Sequence, residues 1–67
     1  MLSKEVANLK DRNPDTFKKL KEKVKYYGNT NYSLITIAQY LSERFEIEIL
    51  VKDVDELLKN EQKEIKL

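Results

Sequence analysis

Leu34, Ile37, Ala38, Leu41 and Phe45 recur at offsets of three, four, seven and eleven residues. A helix turns 100° per residue, so these five side chains fall on one stripe. No other stretch of the chain carries so regular a stripe. The spacing predicts a helix over 33–45 as the core element on which the others pack. Ser33, or Asn31 before it, is placed to cap that helix.

The stripe must be covered, and few residues are present to cover it. A chain of 67 residues buries only about 60% of its unfolded surface, which makes its stability marginal. The sequence holds no cysteine and no histidine. That rules out a disulfide, a thiolate metal site and the usual general base near neutral pH. What remains is good helix packing or self-association. A single glycine and a single proline argue against a sheet-rich fold with many tight turns.

The sharpest boundary is Asn13-Pro14-Asp15. It offers a capping side chain, a proline at the first helical position and an acid near the positive helix end. Phe17, Leu20, Val24 and Tyr27 then form a stripe that ends before Gly28, where a left-handed stop residue is expected. These signals predict a helix over 14–27. A shorter helix is expected over 3–10, with Ser3 as its cap and Val6 and Leu9 as its apolar edge. Asn29-Thr30-Asn31-Tyr32 reads as a polar turn. So short a connection makes the helices on either side neighbours in space.

The stretch from Glu46 to Lys52 alternates Ile47, Ile49 and Val51 with Glu46, Glu48 and Leu50, as a strand does. Asp53-Val54-Asp55-Glu56 fits a capping box, with Asp53 as cap and Glu56 three residues on. The expectation is an extended segment over 46–52 and a last helix over 53–63 with Val54, Leu57 and Leu58 inward. The tail is expected to fray from about residue 64. The fold class is therefore mainly α: one domain over 1–67, a small bundle of three to four short helices, with a short strand at 46–51.

Charge is distributed unevenly. Residues 1–28 hold eight basic and four acidic groups, residues 29–45 one of each, and residues 46–67 four basic and seven acidic, which together give the net +1. Such asymmetry suits an anionic partner at one end, or pairing of two copies in which each basic half meets an acidic half. Lys18, Lys19, Lys21, Lys23 and Lys25 give the helix over 14–27 a basic outer face that could contact phosphates. That helix has no arginine for a bidentate contact to guanine. Thr36–Leu41 has the character of the first helix of a helix-turn-helix reader. The connection that follows lacks the short glycine-containing turn, and the carboxylates of Asp53, Asp55 and Glu56 would repel phosphate at the next helix. Asp53 and Asp55 also begin like a calcium loop, but Leu57, Leu58 and Lys59 occupy the positions that should carry ligands.

The sequence offers no catalytic set, cofactor motif or metal-ligand cluster, so neither an enzyme nor a small-molecule substrate is expected. The longest aliphatic run, Ile49-Leu50-Val51, is far too short to span a membrane. No apolar run follows Met1-Leu2-Ser3-Lys4-Glu5, so a cytoplasmic location is expected. Apolar residues left outside the stripes point to a non-enzymatic interaction module, a self-associating regulator or adaptor that pairs as a homodimer or with another protein. Ile35, Tyr40, Ile47, Ile49 and Val51 are the expected interface residues. The alternative is a nucleic-acid-binding regulator that uses the five lysines.

Overall fold

A computed structural model describes the backbone of residues 1–65 and the side chains of residues 1–59. The described residues form four helices: α1 (Lys4–Arg12), α2 (Pro14–Gly28), α3 (Leu34–Phe45) and α4 (Val51–Ile65). The radius of gyration, 11.1 Å, matches the roughly 11 Å of a folded chain this long. The expected small helical bundle is what the chain forms. The tail expected to fray from about residue 64 is helical to Ile65; Lys66 and Leu67 lie outside the described residues.

Each helix buries the stripe that its spacing marks. Val6 comes from α1, Phe17, Leu20 and Val24 from α2, Ile37, Ala38 and Leu41 from α3, and Val54 and Leu57 from α4. Leu34, Phe45 and Tyr27 lie half-buried against this core. The hub is not α3, however. It is α2 that packs against each of the other three helices. The connections explain this. Asn13 alone separates α1 from α2, and five residues separate α2 from α3, so both neighbours fold back on α2. Asn13 closes one helix and opens the next: its Oδ1 accepts the Thr16 amide at 3.3 Å. Ser33 caps α3 in the same way, accepting the Thr36 amide at 3.2 Å.

Gly28 does not stop α2 by turning left-handed. No glycine in the described residues has positive φ. Gly28 sits at a close approach instead: a Cβ there would lie 2.5 Å from Leu58 Cδ2, and that side chain would have to shift. The left-handed stop comes instead at Glu46, which ends α3 at φ 58° and ψ 36°.

The expected strand does not form. Residues 46–50 are an irregular connection, and α4 begins at Val51 rather than Asp53. A strand must pair its backbone, and this segment finds its partners in side chains instead. The Ser42 hydroxyl accepts the Ile49 amide at 2.9 Å and lies 3.0 Å from the Ile49 carbonyl and 2.7 Å from that of Ala38. Glu5 Oε1 accepts the Glu48 amide at 3.1 Å. Held in this way, Ile49 turns into the core, where it is 4% exposed.

Asp53 occupies a later capping position than the sequence suggests. It is fully buried. Its Oδ2 reaches back to accept the Leu50 amide at 2.9 Å, the return half of a capping box. The forward half is missing, because the Leu50 side chain has no acceptor; its backbone carbonyl accepts the Asp53 amide instead, at 2.9 Å. The same carboxylate accepts the Ser3 amide at 2.6 Å and the Ser3 hydroxyl at 2.7 Å. Ser3 therefore gives α1 no side-chain cap; its hydroxyl fastens the start of the chain to the start of α4.

Candidate interaction surface

The turn after α2 gathers the aromatic side chains. Thr30 donates its hydroxyl to the Tyr27 carbonyl at 2.6 Å, and its Oγ1 accepts the Tyr32 amide at 3.4 Å. That knot brings Tyr32 back over the end of α2. Tyr27 becomes the centre of a ring cluster. Its centroid lies 5.1 Å from Tyr26, 6.0 Å from Tyr32 and 5.4 Å from Tyr40, each pair edge to face. Aromatic rings prefer this arrangement because the positive edge of one meets the negative face of the next.

Tyr27, Tyr32, Thr36, Ile37 and Tyr40 line an open groove of about 250 Å³. Two of its lining rings are exposed, Tyr32 at 57% and Tyr40 at 45%, and Tyr26, edge to face with Tyr27 beside the groove, is 65% exposed. The Tyr27 hydroxyl is held above the ordinary tyrosine pKa of 10.0, first by its hydrogen bond to Tyr40 and then by burial. Arg44, one helical turn beyond Tyr40, acts in the opposite sense and so lies within electrostatic reach of the groove.

The five expected interface residues do not form one patch. Tyr40 joins the tyrosine groove. Ile35 is exposed but stands about 140° around α3 from Tyr40, on the opposite flank. Ile49 belongs to the core, and Ile47 is half-buried against it; neither offers a free side chain. Val51, exposed with Leu50 beside it, forms a separate ridge at the start of α4. Tyr26, Tyr32 and Leu50 were not among the expected set. The signal for Tyr26 was its place off the Phe17–Tyr27 stripe. The Thr30 knot that positions Tyr32 is local, spanning only Tyr27 to Tyr32, but periodicity does not reach into a turn, so Tyr32 carried no signal.

Of the lysines, Lys18, Lys19, Lys23 and Lys25 are exposed. Lys21 is half-buried, with its Nζ 5.7 Å from the Phe17 ring centroid, and Lys10 approaches the same ring at 5.9 Å. These contacts are cation–π in character. The five α2 lysines spread over about 200° of the helix surface rather than one stripe, and Glu22 stands among them.

Among the described residues, no group of three or more acidic side chains is arranged to hold a metal ion, and no helix is long and apolar enough to cross a membrane. No protein-family model, curated protein or solved structure matches the chain.

Proposed function

We propose that the chain is a non-enzymatic cytoplasmic interaction module that pairs with a second copy of itself through the tyrosine face of α2 and α3. The observation that carries this reading is the exposed tyrosine cluster. Three rings, each 45% exposed or more, stand together on a chain of 8.0 kDa. Tyrosine is enriched where protein surfaces meet, because it buries a large ring and keeps a polar tip. In this role the module is a small regulator or adaptor, and Tyr40 with Tyr26 and Tyr32 forms the contact. Light scattering on the purified protein at micromolar concentration tests it. A mass about twice 8.0 kDa is expected, and Tyr40→Arg should return the protein to a single chain. A strict monomer for the wild type refutes the reading.

A nucleic-acid regulator is the second reading. It is favoured by the exposure of Lys18, Lys19, Lys23 and Lys25 beside open tyrosine rings, since single strands bind where basic groups track phosphates and rings stack on bases. A gel-shift assay with single-stranded and duplex oligonucleotides at two salt concentrations tests it. Clustered lysines bind weakly even without specificity at low salt, so failure to bind there ends this alternative.

A further inference from the structure

Two apolar patches remain open on the folded chain, and their charged surroundings are opposite. The first is the tyrosine face. Lys23 lies one turn before Tyr26 and Tyr27 on α2, Lys19 one turn further back, and Arg44 one turn beyond Tyr40 on α3. Glu22 and Glu43 dilute this rim, but the five lysines of α2 against Asp15 and Glu22 leave that helix at +3. The second patch is the ridge of Leu50 and Val51, exposed at 38% and 39%. It follows Glu46 and Glu48, both exposed. Further along, Asp53 is buried, Asp55 pairs with Lys59 at 3.2 Å and Glu56 with the Met1 amino group at 2.9 Å, so the acidic rim of the ridge is Glu46 and Glu48, set against Lys52.

We infer that self-association joins unlike patches: the basic-rimmed tyrosine face of one copy receives the acidic-rimmed Leu50–Val51 ridge of the other, and the reverse contact closes the pair. This deepens the homodimer reading and rests on it. The occupant follows from the charges. The tyrosine face set against its own copy brings Lys19, Lys23 and Arg44 near their equivalents, and like charges brought together oppose association. Set against the ridge, the same groups meet Glu46 and Glu48. A two-fold pair allows this arrangement, because residue i of one copy then meets residue j of its partner and j meets i. It also gives the irregular 46–50 connection a role, since its two outward glutamates become the specificity element of the contact.

Charge reversal tests the pairing. Lys19→Glu with Lys23→Glu reverses one rim, and Glu46→Lys with Glu48→Lys reverses the other. All four positions are exposed, and far-UV circular dichroism checks that both variants remain helical. Each double variant alone should self-associate about tenfold more weakly or worse than the wild type by sedimentation equilibrium. An equimolar mixture should recover a heterodimer, because each reversed rim then faces its opposite. If the wild type is a dimer and Glu46→Lys/Glu48→Lys pairs with unchanged affinity, the ridge is not in the contact and this inference fails while the dimer stands. A mixture that does not recover association overturns it as well. A monomeric wild type instead removes the functional reading beneath it.

Discussion

Replacing Asp53 with alanine removes a buried side chain that ties the segment before α1 to the start of α4. The carboxylate is fully buried and accepts three hydrogen bonds, from the Ser3 amide, the Ser3 hydroxyl and the Leu50 amide. Bonds to a charged acceptor contribute about 1.5–3 kcal/mol each. In the alanine variant the Ser3 hydroxyl can rotate to another acceptor, but the two backbone amides keep their positions and lose theirs. Each orphaned amide costs about 1–3 kcal/mol. Against this, alanine no longer requires a charge to be desolvated. The balance is a loss of about 2–4 kcal/mol. A chain of this size has roughly 3–10 kcal/mol in all, so the variant sits near the edge of folding. Urea denaturation followed at 222 nm measures it; with a slope of about 1 kcal/mol per molar urea, the midpoint should fall by roughly 2–4 M. Ser3→Ala removes one bond and leaves both amides paired, so it should cost about 1.5 kcal/mol, the low end for a single bond to a charged acceptor. An Asp53→Ala loss below about 1 kcal/mol, or one equal to that of Ser3→Ala, refutes the reasoning.

Two further outcomes follow from the geometry. Glu46 is held left-handed without the freedom of glycine, so Glu46→Gly should raise stability by about 0.5–1 kcal/mol; thermal melting checks it, and an unchanged or lower midpoint counts against strain at that position. The raised pKa of Tyr27 means that the fold prefers its neutral phenol. Its contribution is therefore fully present below the unfolded value near 10.0 and is lost as pH rises through the higher folded value. In a titration at 295 nm Tyr27 should ionise after an unhindered tyrosine, and Tyr40→Phe, which removes the first cause of the shift, should bring it back toward the ordinary value.

The helices were legible because helix formation here depends on local information: stripe spacing, the Asn13-Pro14 start and the Ser33 cap each lie within one or two turns of what they control. That is why α2, α3 and the core residues on their stripes could be read directly. The 46–52 stretch misled because alternation describes which side chains share a face without saying where the backbone finds hydrogen bonds. Ser42 and Glu5, seven and 43 residues distant in sequence from the groups they serve, supplied those bonds and drew Ile49 inward. The same limit applied to the surface. Periodicity placed Tyr26, Ile35 and Tyr40 off the stripes. It could not show that Tyr40 would join Tyr26, Tyr27 and Tyr32 across two helices while Ile35 faced the other way.

The linear order of residues determined that this chain is helical, where its two best helices begin, and which side chains form most of the core. The tertiary structure alone decided that α2 is the hub, that Gly28 serves a close approach to Leu58, and that Asp53 fastens Ser3 while capping α4. The physical reason is range. Propensity and capping act between neighbours along the chain, whereas packing and buried hydrogen bonds join groups up to fifty residues apart, and those pairings exist only once the helices have met.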